Sequence, residues 1–324
     1  MSGPARLFHH SEPGITSLAV WIERVPGLGE DADPLIMLDR RVGRGLLGVF
    51  DGLGGTGRES AGPDADGVDH TQAWVASRRV RELVARWFGD DLPVEELRPL
   101  LSAGLRENVH DGVPHELPTT LAAVDYRLSK GRVDWEALWA GDSRCYLADP
   151  EHGLQQLTQD DTEESDALTL LLTNPPMFNM VCLGREFTVN RWRGRATLPG
   201  VLVAATDGFF GYVDTPALFE DMLWQTLGRA RDVGHWAELL ATRVRGYSAD
   251  DASIAVVALG FPTFEALRED FEPRARHMRT EHGQPLRAAR ARGAAALDAA
   301  RVESWRRYQA DHERQWQQPA DQDD

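Results

Sequence analysis

Lysine is almost missing from this 324-residue sequence: Lys130 is the only one, and arginine supplies the rest of the 35 basic residues. Cysteine is nearly as scarce. Cys145 and Cys182 are too few for a disulfide framework and match no zinc-binding spacing, so a reducing cytoplasmic compartment is expected. Positive charge is in deficit, with 51 acidic residues giving a net charge of −16. That balance argues against nucleic acid and anionic membranes as partners, both being polyanions. No uncharged apolar run reaches the roughly 18 to 20 residues that a membrane-crossing helix needs. Met1 to His10 contains no apolar stretch of the kind found in secretory signals. Histidine forms no metal-binding pair, since His70, His110, His115, His152 and His235 are scattered. The glycines at 27–29 and 52–57 lead into no Gly-Lys-Ser/Thr, which excludes a P-loop. Ser60 and Ser143 lack a Gly-x-Ser-x-Gly setting, which argues against a serine-hydrolase elbow.

With 42% hydrophobic and 27% charged residues, the chain has the composition of a globular protein with a sizeable core. Strand-like runs cover Ile15 to Glu23, Leu35 to Asp39, Gly45 to Phe50, Thr120 to Leu128, Asp134 to Ala140, Cys145 to Ala148, Leu202 to Ala205 and Ala252 to Leu259. Helical spacing marks Thr71 to Trp87, Val94 to Val109, Pro216 to Leu227 and Gly234 to Arg245. A Gly, Asp and Ser-rich loop is expected from Gly54 to Asp69, and irregular structure from Thr158 to Pro199. Beyond Pro262 the composition turns to Ala, Arg and Glu. This predicts a body over residues 1–262 and a helical extension over 263–324, divided at Pro273 and at Gly283-Gln284-Pro285, with a disordered end from Pro319. The extension has 12 acidic and 11 basic residues, so the excess carboxylates lie in the body. Trp305 and Tyr308 share one helical face, which is expected to pack on its own domain, on a second copy, or on another protein.

One pattern recurs in the body. The apolar run Leu46 to Phe50 ends in Asp51-Gly52, and Val201 to Thr206 ends in Asp207-Gly208. Asp250-Asp251 precede Ile254 to Leu259, and Leu138 to Ala140 lead into Gly141-Asp142-Ser143-Arg144. Any one Asp-Gly is an ordinary turn. Several carboxylates at the rims of buried strands, if they converge, repel one another unless cations lie between them. Oxygen-only donors suit Mg²⁺ or Mn²⁺ rather than zinc.

These segments, in this order, resemble the PP2C-type (PPM) metal-dependent serine/threonine protein phosphatases over about Ile15 to Gly260. The resemblance is carried by Leu28-Gly29-Glu30-Asp31-Ala32, Gly48 to Gly55, Pro118-Thr119-Thr120-Leu121, Gly141 to Arg144, Leu157 to Asp161, Thr206 to Phe210 and Asp250 to Ser253. It implies an α+β fold, a four-layer αββα sandwich of two mainly antiparallel sheets flanked by helices. It implies that Asp51 bridges two Mn²⁺ or Mg²⁺ ions, that the Gly52 carbonyl ligates one, and that Asp207 and Asp250 hold the other. Glu30 would act through water, with Asp31 beside it, and Asp142 would serve a third ion. Asp31 and Asp51 are thus the catalytic candidates, and a metal-activated water would attack phosphorus in a phosphorylated protein.

The sequence also departs from the family. Pro26 stands where members commonly have a phosphate-clamping arginine, and Arg24, Arg40, Arg41 and Arg44 are the candidate replacements. Asp251 replaces an asparagine, Leu53 a histidine of eukaryotic members, and the flap from Asp161 to Gly184 is divergent. A phosphoprotein phosphatase is therefore the first expectation. A phosphoprotein-binding scaffold without turnover is the alternative from another class, and a small-molecule phosphohydrolase is a third.

Overall fold

The computed structural model describes residues 5–63, 67–107, 116–173 and 175–317. Its strands are β1 (Arg6–Glu12), β2 (Ile15–Ile22), β3 (Leu35–Asp39), β4 (Arg44–Val49), β5 (Ser60–Pro63), β6 (Asp69–Thr71), β7 (Leu121–Ser129), β8 (Arg132–Ala140), β9 (Arg144–Asp149), β10 (Gly153–Gln156), β11 (Asn190–Thr197), β12 (Gly200–Ala205) and β13 (Ala252–Leu259). The helices are α1 (Gln72–Gly89), α2 (Leu97–Arg106), α3 (Ala167–Thr173), α4 (Asp207–Phe210), α5 (Pro216–Arg229), α6 (Val233–Arg245), α7 (Phe264–Met278), α8 (Gln284–Arg292), α9 (Ala294–His312) and α10 (Arg314–Gln317). One sheet has the order β1-β2-β13-β12-β9-β10, the other β11-β8-β7-β4-β3, and β5-β6 form a separate ribbon. Neighbouring strands in both large sheets are antiparallel.

Side chains alternate between the two faces of a strand, so a run that is apolar throughout must be buried on both. In β12, Leu202 and Ala204 face the second sheet, while Val201, Val203 and Ala205 face helices. In β4, Leu47 and Val49 point between the sheets and Leu46 points toward α1 and α2. The outer face of the six-stranded sheet packs on α5, α6, α7 and α9. The result is the αββα sandwich expected from the sequence.

Several local expectations are corrected. β1 was missed because six of its seven residues carry no aliphatic pattern that would mark a buried strand; it pairs with β2 from Arg6↔Trp21 to Glu12↔Ile15. The stretch expected to be irregular contains α3 and β11, an edge strand whose alternating exposure is masked by its polar sequence, Asn-Arg-Trp-Arg-Gly-Arg-Ala-Thr. Part of the Gly54 to Asp69 loop forms the β5-β6 ribbon. The second helix begins with a 3₁₀ turn at Val94–Glu96; its predicted end at Val109 lies outside the described residues. Pro273 sits inside α7, and Gly283-Gln284-Pro285 continues through a π turn (Arg279–Gly283) into α8, so neither divides the tail. The break falls instead at Gly293, whose φ of 109° belongs to the region that side chains avoid. The predicted disordered end from Pro319 lies outside the described residues.

The shared face of Trp305 and Tyr308 lies on the body of the same chain. Tyr308 Oη donates to the Leu154 carbonyl (3.1 Å) and to Glu220 Oε2 (2.7 Å). Glu220 is fully buried and receives Arg274 (2.7 and 3.0 Å) and the Trp224 indole (2.8 Å). Trp305 Nε1 donates to Asp166 (2.7 Å), His312 Nε2 meets Gln156 Oε1 (2.8 Å), and Phe271 stacks on Trp224 with ring centres 4.1 Å apart. Arg274→Leu would leave the Glu220 carboxylate buried without its counter-charge, at an expected cost of about 3–5 kcal/mol in urea unfolding. The double variant Glu220→Leu/Arg274→Leu should regain part of that loss; equal losses in the two would show that the charge itself is not what the arginine offsets.

Candidate active site

The apolar strands end at one rim of the sandwich, and backbone hydrogen bonds fix the acids there. After β4 the Asp51 N–H donates to Thr120 Oγ1 (3.1 Å), and the Asp51 carbonyl accepts from the Thr120 N–H (2.8 Å) and Thr119 Oγ1 (2.7 Å). The Pro118-Thr119-Thr120 segment thus holds Asp51 in place. Gly52 bridges Thr119 and has no room for a side chain: a Cβ would stand 2.6 Å from the carbonyl oxygens of Ala73 and Glu30. At the end of β12, Thr206 Oγ1 donates to Asp31 Oδ2 (3.0 Å) while accepting the Ser253 N–H (3.0 Å). Asp207 follows and opens α4.

Asp251 works as a brace. Its carboxylate accepts the backbone N–H groups of Arg24 (2.6 Å) and Glu30 (2.7 Å), so an acceptor-only side chain suits this position. Asp250 beside it is exposed and accepts the Tyr212 hydroxyl at 3.3 Å. Glu30 Oε1 accepts from Thr71 (2.7 Å), the N-cap of α1, whose Oγ1 also takes the Trp74 N–H at 3.1 Å. Ser77 donates to the Glu30 carbonyl (2.5 Å), and Arg78 reaches the Gly29 carbonyl (3.1 Å) while lying 4.0 Å from the centre of the Trp74 ring. These contacts tie α1 to the cleft.

On the opposite side, Arg144 makes a buried two-pronged pair with Asp160 (2.8 and 2.7 Å) and lies over Phe210. Ser143 Oγ lies 2.7 Å from Thr120 Oγ1. Asp161 accepts the Gly141 N–H (2.9 Å) and the side-chain amides of Asn179 (2.7 Å) and Asn190 (2.9 and 3.1 Å). The divergent flap is therefore anchored on Asp161, which also holds Gly141, the residue before Asp142.

The electrostatics show how closely the acids are crowded. Burial first, then Asp31, Asp207 and Asp142, push the Asp51 carboxyl well above the ordinary range, and Asp31 and Asp51 are hydrogen-bonded to each other. Asp31 rises to about 7 through burial and the charge of Asp251. Asp207 rises to about 7 through burial and the charges of Asp250 and Asp31. Asp142 rises to about 8 through burial and the charges of Asp207 and Asp160. Glu30 is also raised, by burial, against the opposing Thr71 hydrogen bond. The donor chemistry suits a hard dication: the groups are oxygens, and positive charge between them would relieve the burial and repulsion that raise them. Among the described residues, no three His, Cys, Asp or Glu side chains converge to hold one ion, so the rim carries the donors without a closed coordination set.

Three of the arginines considered as replacements at Pro26 are committed elsewhere. Arg40 pairs with Glu12 and Arg41 with Asp39. Arg44 is buried between Asp91, Asp125 and the rings of Trp87 and Phe88. Arg24 remains exposed near Tyr212, and Arg58, which sequence reasoning missed, lies close enough to Glu30 to oppose its rise. Nothing in the sequence marked Arg58, which sits within a loop. Thr71, also missed, carried a recognisable signal as a threonine at a helix start.

Two mainly antiparallel sheets sandwiched between helices, with carboxylates gathered at one strand rim, define the class of fold. Residues 36–242 match the family model Protein phosphatase 2C, and the chain belongs to that family. The fold is similar to the PPM Ser-Thr phosphatase MsPP from Mycobacterium smegmatis in complex with cacodylate (15% identity, 79% of this chain and 98% of that one, TM-score 0.51). It is also similar to the S. agalactiae serine/threonine phosphatase (14% identity, 79% and 100% covered, TM-score 0.50). The Mycobacterium tuberculosis serine/threonine phosphatase PstP/Ppp aligns at 20% identity over 80% of this chain and 99% of that one, with a TM-score of 0.47. No curated protein matches the sequence significantly. Among the described residues, no helix is long and apolar enough to cross a membrane.

The raised carboxyls set a pH dependence. A carboxyl that binds its proton more tightly folded than unfolded stabilises the fold fully below its unfolded pKa near 4, and that contribution is lost as pH rises through the folded value. For Asp31, Asp207 and Asp142 the loss should run from about pH 4 to values near 7 and 8. In EDTA the melting temperature should therefore be lower at pH 8 than at pH 6, and Mn²⁺ should raise it most at pH 8. A melting temperature insensitive to both would mean that the carboxyls do not repel one another.

Proposed function

We propose that the protein is a phosphoprotein phosphatase that hydrolyses phosphoserine and phosphothreonine with the help of Mn²⁺ or Mg²⁺. The observation that carries this reading is the set of raised carboxyls at Asp31, Asp51, Asp142 and Asp207, side by side at the strand rim. Asp51, the Gly52 carbonyl, Asp207 and Asp250 are the residues that would hold two ions, with Glu30 contributing through water and Asp142 serving a third. Bound there, the ions supply positive charge against the phosphoryl oxygens and lower the pKa of the attacking water.

The chain's own residues do the positioning. Thr119 and Thr120 hold Asp51, Thr206 holds Asp31, and Asp31 orients Asp51 through their shared hydrogen bond. Arg24 and Arg58 are the exposed cations assigned to the substrate phosphate in place of an arginine at Pro26. The exposed flap residues Leu172 and Phe178 are assigned to the peptide around it, and the cytoplasm is the assigned compartment.

The test is hydrolysis of p-nitrophenyl phosphate and of a phosphothreonine peptide in Mn²⁺, each abolished by EDTA. Asp207→Asn should lower turnover by at least about a hundredfold with near-ultraviolet circular dichroism unchanged. Wild-type turnover by that variant in saturating Mn²⁺ would remove Asp207 from the site, and EDTA-resistant hydrolysis would remove the metal. A folded protein with no turnover at any metal concentration would favour the phosphoprotein-binding scaffold instead.

A further inference from the structure

A second feature lies apart from the carboxylate rim, where the tail meets α5 and α6. A groove of about 470 Å³ runs there, a volume typical of small-molecule sites. Arg229 of α5, Arg243 of α6, and Arg279, Arg287 and Arg290 of the tail line it. Arg290 is engaged with Asp214, which Arg301 also neutralises. Among the described residues, the other four arginines form no ion pair. Four guanidinium groups without a direct ion pair around one cavity are notable in a chain of net charge −16.

Asp221 also lines the groove. It is only 6% exposed, and the charges of Arg287 and Arg243 reach it. A buried carboxylate beside guanidinium groups holds them at the groove without a direct ion pair. The neighbouring Gly283 is buried too; a Cβ there would come within 2.7 Å of Asp221 Oδ2 and 3.3 Å of Arg287 Nη1, so the bare backbone is what lets the tail close over this acid. Tyr212, Tyr247, Met222 and Leu286 supply flat and apolar walls.

We propose that this groove binds a phosphorylated small molecule of the nucleotide class, with its phosphates on Arg229, Arg243, Arg279 and Arg287 and its base against the walls formed by Tyr212, Tyr247, Met222 and Leu286. Inorganic phosphate would satisfy the arginines and leave those walls uncovered. An acidic peptide would lie along the exposed guanidinium groups and likewise leave the walls uncovered. Tyr212 lines the groove and also donates to Asp250, so occupancy reaches the carboxylate rim; this coupling, unlike the binding, rests on the phosphatase reading.

The experiment is calorimetric titration of the full chain with ATP, ADP, adenosine, inorganic phosphate and a phosphothreonine peptide, at low salt and in EDTA. Chelation closes the metal-dependent route by which phosphates could reach the carboxylate rim, so this result stands or falls separately from the phosphatase assignment. A nucleotide should bind one per chain, and adenosine and phosphate at least about tenfold more weakly. Arg243→Gln and Arg279→Gln should each weaken nucleotide binding by about tenfold, the loss of one charge-assisted hydrogen bond. Adenosine binding should be unchanged by either arginine variant, with melting curves confirming that each variant is folded. No saturable nucleotide binding by the wild type, binding unaffected by either arginine variant, or preference for the peptide would overturn the proposal.

Discussion

Like charges held close together at the ends of buried strands are the constraint to which the rest of the molecule answers. Asp31, Asp51, Asp142 and Asp207 all resist ionisation, because burial removes water and each neighbour adds repulsion. Their side chains cannot relax apart, because the surroundings fix the backbone. Thr119 and Thr120 grip Asp51, Thr206 and Ser253 grip Asp31, and Gly52 and Gly208 allow main chains to approach where any side chain would collide. The doubly buried strands behind them give those anchors something rigid to stand on. Repulsion maintained by a rigid frame is what the dications proposed above would relieve.

The central strands were legible in the sequence because they are apolar on both faces, and the family resemblance implied their arrangement as a sandwich. Leu46 to Phe50, Val201 to Ala205 and Ile254 to Leu259 read as continuous runs, each buried between a helix layer and a sheet. Edge strands were not legible: β1 and β11 keep much of their surface in water, so Arg and His stand where a hydrophobic signal would be sought. Aspartates next to glycines announced the acidic rim, whereas the arginines facing it could not be chosen by sequence distance. Arg44 looked available and proved to be spent on Asp125 and Asp91, while Arg58, unremarked in a loop, is within electrostatic reach of Glu30. In the tail, Pro273 and Gly283 read as breaks because local propensity favours them. Packing against α5 overrides that propensity, and the π turn absorbs the irregularity.

The tail is joined to the body by polar as well as apolar contacts. Glu220 gathers Arg274 of α7 and Tyr308 of α9 beside Trp224 of its own helix, and Asp166 at the start of α3 receives the Trp305 indole. Directional bonds of this kind fix register in a way that aromatic burial alone does not. They bring the arginines of α8 up against α5 and α6 and lay α9 over β10, whose outer edge would otherwise face water.

The scarcity of lysine has a practical side once the hairpin is known. Lys130 lies in the turn between β7 and β8, exposed, at the far end of a strand whose other end adjoins Thr120 and Asp51. Nine residues of extended chain separate the two ends, roughly 30 Å. Amine-directed chemistry therefore has a single side-chain handle, at the opposite end of the strand from the acidic mouth. A dye or a surface linker placed there would report on the molecule, or tether it, with its cleft left open to solution.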